Sequence, residues 1–311
     1  MLKKIIKHPL APILARLINK FRIEKGDFIE YEMYDLWKKN GFFIIPNHFY
    51  QPIPDISIYN KNAFKKPMSL DGIDMQDQNQ LMLLQKAFKK YNDEYNKIPS
   101  TGDPDGYKYY FNNKAFDGVD ALVYYCLIRH FKPKRIVEVG SGWSSKIAAK
   151  ACLRNGDTKL TCVEPYPQNF MKKGFPGLYK LVTKKVEDAP VKLFADLEEG
   201  DILFIDSSHT VKFGGDVNYL FFKILPIIKK GVLVHIHDIF FPYDYPEEWV
   251  VKEHRYWCEQ YLLQAFLMFN SSFEVLYSNN YMFTKYLNEV KRVFPKSPNF
   301  SGGSFWMRRI K

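Results

Sequence analysis

The sequence predicts an α/β protein with a doubly wound parallel sheet that follows a helical and loop-rich N-terminal extension. From residue 114 onward, short apolar runs typical of buried strands alternate with stretches of helical periodicity. The connections between them are short, which favours parallel strands with helices on both faces. We therefore predict an extension at 1–113 and a sheet domain at 114–311.

The beginning of the extension is basic and amphipathic. Residues 1–22 place apolar residues at helical spacing with lysines and arginines between them. Such a segment can lie on an anionic membrane, which predicts a peripheral membrane contact. It can equally pack on the protein itself, because Pro9 and Pro12 interrupt a long surface helix. A helix over 25–40 and a short strand at 42–45 are predicted next.

The rest of the extension combines a loop, a helix and a turn-rich connector. Three prolines among aromatic residues in 46–55 predict a rigid loop, either a structural clamp over the core or a lid over a binding site. A helix is predicted over 81–95, and TGDPDGYKYYFNN at 101–113 marks a candidate domain boundary. Helical spacing over 117–131, closed by Pro133, predicts the helix before the sheet.

Strands and helices alternate regularly in the sheet domain. Strands are predicted at 135–139, 159–164, around 181–182, and at 201–206, 231–238, 273–277 and 304–309. Helices are predicted at 144–154, 191–197, 217–229 and 248–269. Ligands of doubly wound sheets bind at the carboxyl ends of strands, where the strand order reverses. Four acids stand at such ends, namely Glu138, Glu164, Asp206 and Asp238.

The stretch RIVEVGSGWSS joins the first of these strands to a helix through Gly140 and Gly142. Such a turn lets backbone N–H groups approach a ligand, and two cofactor classes compete for it: a dinucleotide such as NAD, and S-adenosylmethionine. Ser145 replaces the third glycine of the dinucleotide pattern. A carboxylate at Glu138 repels a pyrophosphate but attracts sulfonium and ammonium groups, which favours S-adenosylmethionine. Glu164 can accept the ribose hydroxyls of either cofactor.

Two histidine-containing segments follow later strands. His209 stands three residues after Asp206, and a histidine with the ordinary pKa of about 6.5 can take a proton from a hydroxyl. The alternative is that His209 caps the next helix. Strand alternation places His235 and His237 on one face, with Asp238 at the strand end. The candidate catalytic residues are His209, Asp206 and Asp238.

Four segments together resemble successive motifs of class I S-adenosylmethionine-dependent methyltransferases. They are EVGSGWSS from Glu138, VEP at 163–165, DILFIDSSH at 201–209 and HIHD at 235–238. In particular they are similar to bacterial O-methyltransferases of small molecules and glycans. The resemblance covers about residues 117–311, and the segment 49–55 also looks familiar from that group. It implies a Rossmann-like, seven-stranded sheet whose last strand is antiparallel, with S-adenosylmethionine as cofactor.

The resemblance also implies which residues contact the cofactor. The glycine turn would hold the methionine portion, Glu164 the ribose, and an acid after the third strand would lie near adenine. The candidate cofactor-binding residues are Glu138, Gly140, Ser141, Gly142, Glu164, Glu187 and Asp188.

The sequence does not decide whether the protein uses a metal ion. Macrocin-type sugar methyltransferases resemble this arrangement and bind magnesium through carboxylates, with Asp206 and Asp238 matching two of the positions. Here His237 stands where those relatives carry a second acid. Magnesium prefers oxygen ligands, so the substitution argues against a magnesium site.

Composition limits the partners. The net charge of +11 attracts phosphates, anionic lipids and nucleic acid alike. The lysines are scattered and the sequence has no N/D-P-P-Y/F motif, so we expect no nucleic-acid partner. The four cysteines form no C-x-x-C pair, which favours a reducing cytoplasm, and no apolar run reaches the roughly 20 residues of a spanning helix.

The sequence therefore predicts a cytoplasmic, or membrane-peripheral, S-adenosylmethionine-dependent methyltransferase. We expect it to methylate a hydroxyl of a sugar or another small molecule, with the extension serving either as a lid that binds the acceptor or as a structural clamp. The alternatives are an NAD-dependent oxidoreductase and a non-catalytic binding module on the same fold. They are separable by which cofactor raises the melting temperature.

Overall fold

The computed structural model describes residues 11–20, 22–25, 28–31, 33–58, 61–103 and 106–311. The chain divides into two compact units. The smaller unit lies within Met1–Ala63 and Glu248–Tyr256, and the larger one comprises Phe64–Glu247 and Trp257–Lys311. The larger unit thus takes in the second half of the region that the sequence analysis groups as the extension.

Among its described residues, the smaller unit contains two short α-helices and two paired strands, namely α1 (Ala11–Asn19), β1 (Arg22–Lys25), β2 (Phe28–Tyr31) and α2 (Tyr34–Lys39). A 3-10 turn at Ile56–Ile58 and a π turn at Glu248–Lys252 also belong to it. The two strands are antiparallel, with Arg22 opposite Tyr31 and Lys25 opposite Phe28. The membrane contact predicted for 1–22 falls largely outside the described residues, since 1–10 and 21 are not among them.

One prediction for this unit is wrong in part and another is wrong. Of the helix predicted over 25–40, Phe28–Tyr31 is a strand, because cross-strand pairing satisfies the backbone groups that a helix would otherwise pair, whereas Tyr34–Lys39 is helical as predicted. The segment 42–45 forms no strand. It lies immediately before Pro46, which has no N–H to offer a sheet ladder.

The larger unit begins with helices. A continuous helical run consists of α3 (Asp77–Met82), a π turn (Leu83–Ala87), a 3-10 turn (Phe88–Tyr91) and α4 (Asn92–Tyr95), which confirms the helix predicted over 81–95. The next helix is α5 (Gly118–Phe131). The Asp117 carboxylate accepts from the Gly118 N–H at 2.7 Å and so caps its first turn. Lys132, in the left-handed conformation, ends it before Pro133.

Strands and helices then alternate as predicted up to the last two strands, which are separated by two helices that the sequence did not predict. The elements are β3 (Arg135–Val139), α6 (Trp143–Asn155), β4 (Lys159–Val163), α7 (Asn169–Lys173), β5 (Leu178–Val182), α8 (Lys192–Ala195), β6 (Ile202–Ile205), α9 (Asp216–Tyr219), β7 (Leu233–Ile236), α10 (Glu259–Met268), β8 (Phe273–Ser278), α11 (Asn279–Lys285), α12 (Leu287–Val293) and β9 (Phe305–Arg309). Among the described residues, no helix has the length and apolar character needed to cross a membrane.

Seven strands form one sheet in the order β5-β4-β3-β6-β7-β9-β8. The pairs from β5 to β7 are parallel, and β9 is antiparallel to both of its neighbours, which confirms the predicted seven-stranded sheet with an antiparallel last strand. The chain order reverses at β3, whose Val139 pairs with Val163 on one side and Ile205 on the other. The residues that follow these three strands therefore meet at one edge of the sheet.

The sheet is buried on both faces. Along β6, Ile202 and Phe204 belong to one apolar cluster, which also contains side chains of α5 and α6. Leu203 and Ile205 belong to a second cluster, which contains side chains of α9 and α10. Because successive side chains of a strand point to opposite faces, this division gives three layers, helix, sheet and helix.

The helix predicted over 248–269 is wrong in its first half. A single π turn spans Glu248–Lys252, and α10 begins only at Glu259. The segment 253–258 between them is not helical, and His254 within it adopts a left-handed backbone conformation with φ of 58°, which a helix does not accommodate. The N–H groups of Cys258 and Glu259 donate instead to the carbonyl of His209, at 3.0 and 3.2 Å.

Candidate cofactor and catalytic site

The glycine turn after β3 lies against the end of β6. Gly140 has φ of 77°, and a Cβ atom placed on it would stand 1.6 Å from the carbonyl oxygen of Asp206. The Gly140 N–H donates to Val163, and the Asp206 N–H donates to Val139 at 2.8 Å. Only a residue without a side chain fits this contact. Gly142 is different, since its backbone is extended and a Cβ there would meet a single atom at 3.8 Å.

Glu164 follows β4 and is held by the backbone. Its Oε2 accepts from the Ser141 N–H at 3.1 Å, and its Oε1 accepts from the Tyr166 N–H at 2.8 Å. Each carboxylate oxygen has a further lone pair beyond these bonds. Glu164 is therefore oriented to accept hydrogen bonds from a ligand with neighbouring hydroxyl groups.

A cavity of about 370 Å³ lies at this edge of the sheet. Of the predicted site residues it is lined by Gly140, Glu164, Glu187 and Asp206, and Lys185 and Lys212 add positive charge to its wall. Ser141, Gly142 and Asp188 do not line it. The buried Oγ of the lining residue Ser207 has no hydrogen-bond partner. The close glycine, the oriented carboxylate and this unpaired hydroxyl fit a nucleoside-containing cofactor.

Glu138 lies beneath the turn and does not line the cavity. Its side chain is completely buried, with the thiol of Cys162 at 3.7 Å from Oε2. Burial raises the pKa of Glu138 to about 8, and hydrogen bonds from Ser144 and Ser145 oppose the rise only in part. The charge attraction that the sequence analysis attributes to Glu138 is thus weakened near neutral pH.

The three predicted catalytic residues come together after β6 and β7. His209 Nε2 lies 3.2 Å from Asp206 Oδ1 and 3.4 Å from Asp238 Oδ2. His209 and Asp238 both have left-handed backbones, with φ of 56° and 57°. Strained conformations of this kind in non-glycine residues are held by their surroundings and are common at functional sites.

A fourth residue completes this group and was not found from the sequence. Glu259, at the start of α10, places Oε2 3.0 Å from His209 Nδ1. Both side chains are buried. The imidazole of His209 therefore lies among three carboxylates, and its ring orientation is set by Glu259.

The charges around His209 change its acid-base behaviour. Burial alone would lower the pKa of His209, but hydrogen bonds to Asp206 and Glu259 and the negative charge of both outweigh it, and the pKa rises to about 10. The near-neutral pKa expected from the sequence is therefore wrong. Burial likewise would raise the pKa of Asp206, but the charge of His237 and bonds from His209 and His237 lower it.

His237 extends the cluster into the core. Its Nδ1 lies 3.5 Å from carboxylate oxygens of both Asp206 and Asp238, and its Nε2 lies 3.4 Å from Asp120 Oδ2. Asp120, on α5, also accepts from the backbone N–H groups of Gly303 and Ser304, at 3.0 and 2.9 Å. An acid inside the apolar run VDALVYYCLI was the sequence signal for Asp120. Glu259 had no such signal, because it reads as a surface acid of a long helix.

The same atoms can hold a metal ion. Asp206, His209 and Asp238 each offer a donor atom, and these atoms lie within 4.8 Å of one another. The His209 Nδ1 bond to Glu259 is the arrangement that orients metal-bound histidines in proteins. An imidazole nitrogen in the donor set suits zinc, copper or iron better than magnesium. A cation and the proton on His209 would compete for the same two aspartates.

The sheet order, the glycine turn and the oriented Glu164 fit a methyltransferase of the Rossmann-like type. A family model described as a methyltransferase domain matches residues 137–239. An uncharacterized protein of Archaeoglobus fulgidus is 34% identical over 206 residues, which cover 62% of this chain and 89% of that protein. The chain belongs to the class I S-adenosylmethionine-dependent methyltransferases. The NAD-dependent and non-catalytic alternatives are not favoured.

Solved structures of low similarity were also found. The O-methyltransferase TomG from Streptomyces achromogenes, in complex with SAM, has 14% identity and a TM-score of 0.36 over 73% of this chain and 89% of its own. An O-methyltransferase from Bacillus cereus, in complex with SAH, has 11% identity and a TM-score of 0.39 over 76% and 98%.

The glycine turn predicts a difference between two substitutions. Gly140→Ala should destabilise the protein by about 2 kcal/mol or more, because the methyl group meets the Asp206 carbonyl and the left-handed backbone is strained. Gly142→Ala, in the same turn, is the matched control and should change stability by less than about 1 kcal/mol. Urea unfolding of both variants without cofactor measures the difference. Equal losses would contradict this account of the turn.

Glu138 predicts a pH dependence of stability. The carboxyl ionises near 4.5 in the unfolded chain but near 8 in the folded protein, so the folded state holds the proton more tightly. Its contribution to stability is complete below pH 4.5 and is lost as the pH rises towards 8. Glu138→Gln, which cannot ionise, should lose less stability than wild type across this window. The melting temperature of both proteins is measured as a function of pH. If it changes equally with pH in wild type and in Glu138→Gln, Glu138 does not titrate in this way.

Proposed function

We propose that this methyltransferase transfers the methyl group of S-adenosylmethionine to a hydroxyl oxygen of a sugar or another small molecule. Asp206 is the observation that carries the proposal. It lines the cofactor cavity and also contacts His209 and His237. This supports a proton-accepting cluster next to the bound cofactor.

The cofactor supplies a methyl group bonded to a positively charged sulfur. In our proposal the turn of Gly140, Ser141 and Gly142 surrounds its methionine portion. Glu164 accepts hydrogen bonds from the ribose hydroxyls, which its fixed orientation favours. Glu187 is preferred to Asp188 beside the adenine, because Glu187 lines the cavity.

His209 is the proposed acceptor of the hydroxyl proton. Its neutral imidazole would take the proton at Nε2, the nitrogen that lies near Asp206 and Asp238. Glu259 acts through His209 as a positioning residue, and the three carboxylates stabilise the imidazolium that forms. Holding the hydroxyl and the base side by side supplies much of the rate enhancement. If a metal binds, Asp206, Asp238 and Nε2 of His209 would hold it, and it would lower the pKa of the hydroxyl in place of the base role of His209.

Aromatic side chains support a ring-shaped acceptor. The ring of Trp257 lies 4.4 Å from that of His209, and Tyr245 meets Trp257 edge to face at 6.3 Å. Tyr245 is buried and Trp257 is partly exposed, so the face of Trp257 is the one proposed to contact a sugar or aromatic acceptor. We also propose that residues 1–113 contribute a lid, which is supported by exposed aromatic side chains such as Phe49.

A cytoplasmic or membrane-peripheral location is part of the proposal. The four cysteines are free, which suits a reducing compartment. On α1, Ile13, Leu14 and Leu17 are about half exposed, as a membrane-contacting helix would have them.

Glu164 gives a test of the cofactor site. Glu164→Ala should weaken S-adenosylmethionine binding by about tenfold or more, since it removes the acceptor for the ribose hydroxyls. Glu198→Ala removes a carboxylate that pairs with Lys229 on the surface and should bind the cofactor as wild type does. Isothermal titration calorimetry measures both. Unchanged affinity in Glu164→Ala would remove this residue from the cofactor site.

The acceptor class is tested by transfer of labelled methyl groups to matched hydroxyl and amino compounds, such as sugars and the corresponding amino sugars. We expect product with the hydroxyl compounds. With an accepted compound, kcat/KM should rise with pH between 7 and about 10, because the neutral form of His209 becomes populated towards its pKa of about 10.

The matching variant is His209→Gln. It should lower kcat by about a hundredfold or more while the affinity for S-adenosylmethionine stays within a factor of about three. A pH profile that is level from 7 to 9 in wild type, or an equal loss of turnover and cofactor affinity in the variant, would reject His209 as the base. Methylation of the amino compounds alone would reject the hydroxyl assignment.

A further inference from the structure

A second cavity in the larger unit has no role in the proposed reaction. Its volume is about 430 Å³, and it shares no lining residue with the cofactor cavity. Its walls come from the connector before α5, from one face of α6 and from the loop before β5. The size is that of a site for a small organic ligand.

Positive charge is concentrated in this cavity. Lys146, Lys150 and Arg154 line it and follow one another at four-residue spacing along α6, and Lys108 lines it from the connector. Like charges at this spacing on one helix repel each other. The pKa of Lys150 is lowered, first by burial and then by the charges of Arg154 and Lys108. The folded protein therefore holds these cations together against their repulsion.

One acid, Glu94, acts electrostatically on these cations, but it already has its own partners. The charge of Glu94 acts on Lys150 and Arg154. Its Oε2, however, accepts from Arg129 Nε at 2.9 Å, and its Oε1 accepts from Arg129 Nη2 at 3.0 Å. The hydroxyl of Tyr125 donates to the same carboxylate. Because Glu94 is engaged by Arg129 and Tyr125, it compensates the positive charges of Lys150 and Arg154 only in part.

One of the cations is held inside the protein. The side chain of Lys146 is 2% exposed. Its ammonium group lies 3.8 Å from the ring centroid of Trp143 and 4.2 Å from that of Phe170. Cation–π contacts with two rings stabilise a positive charge where few waters reach it. A buried lysine in the wall distinguishes this cavity from an ordinary solvated basic helix face.

We propose that this cavity binds a phosphate-bearing ligand of about the size of a monosaccharide phosphate, with the phosphate group between Lys108, Lys150 and Arg154. Arginine and lysine donate charge-assisted hydrogen bonds to phosphate oxygens, and a dianion neutralises the charges that repel one another here. The volume exceeds that of the phosphate alone, and Tyr107 offers a flat apolar face for the remainder of the ligand.

The test uses glucose 1-phosphate and inorganic phosphate as probes, titrated calorimetrically into the full-length protein at constant ionic strength. Wild type should bind glucose 1-phosphate saturably with a stoichiometry near one. Lys150→Gln/Arg154→Gln should weaken this binding by about tenfold or more, because two of the three donors are lost. Lys223→Gln/Lys230→Gln makes the same change in net charge at exposed positions outside the cavity and should bind as wild type does.

Folding is checked separately. Without ligand, the cavity variant should melt at or above the wild-type temperature, because repulsion is relieved. If the double variant is unfolded, Lys108→Gln on the connector is tested in its place, and we expect a smaller loss of affinity for glucose 1-phosphate. No saturable binding of either probe by wild type, together with no vesicle binding as below, overturns the proposal. Equal affinities in the cavity and control variants overturn it as well.

Anionic vesicles distinguish the source of the phosphate. Sedimentation with phosphatidylglycerol vesicles, and with phosphatidylcholine vesicles as a neutral control, is compared for the same proteins. Vesicle binding that the cavity variant loses, without binding of glucose 1-phosphate, assigns the site to a lipid headgroup. Binding of the soluble probe alone assigns it to a free phosphorylated compound. S-adenosylmethionine affinity, measured in parallel, reports separately on the proposed function.

Discussion

The contact between Gly140 and the carbonyl of Asp206 is the constraint on which the rest of the site depends. Through this contact the end of β3 packs against the end of β6, and the hydrogen bond from the Asp206 N–H to the Val139 carbonyl aligns the two strand ends. The backbone of the turn then holds Glu164 at the end of β4. The cavity and the cluster of His209, His237 and their carboxylates share Asp206 because these strands end at the same level in the sheet.

Beyond this contact the site is organised by electrostatics. His209 and His237 lie between the carboxylates of Asp206 and Asp238, with Glu259 and Asp120 behind them. Removing one partner from such a buried group leaves the others uncompensated, so its members stabilise each other's position. Burying these charges together is unfavourable, and the packing of the two apolar clusters on the faces of the sheet offsets it. This order fits a site that keeps its geometry before substrates bind.

The fold was largely predictable because its main signals are local. Apolar runs of four to six residues, separated by helical periodicity, located every strand of the seven-stranded sheet, including β5 at the edge, whose half-exposed side chains make its pattern weak. Prediction failed where pairing or strain overrides the local pattern. The strands Arg22–Lys25 and Phe28–Tyr31 are held by cross-strand bonds, and the left-handed His254 lies in a non-helical segment between Lys252 and Glu259.

The sequence by itself determined the class of protein, the cofactor and the acids at the strand ends, because strand ends of a parallel sheet converge whatever the details of packing. Only the tertiary structure decided which acids face the cavity and which are buried. In the folded protein Glu138 is buried and does not line the cavity. Glu259, fifty residues along the chain from His209, contacts its ring, and the surrounding carboxylates raise the pKa of that histidine. Distances between side chains on different elements set these charges, and no local pattern of the chain encodes them.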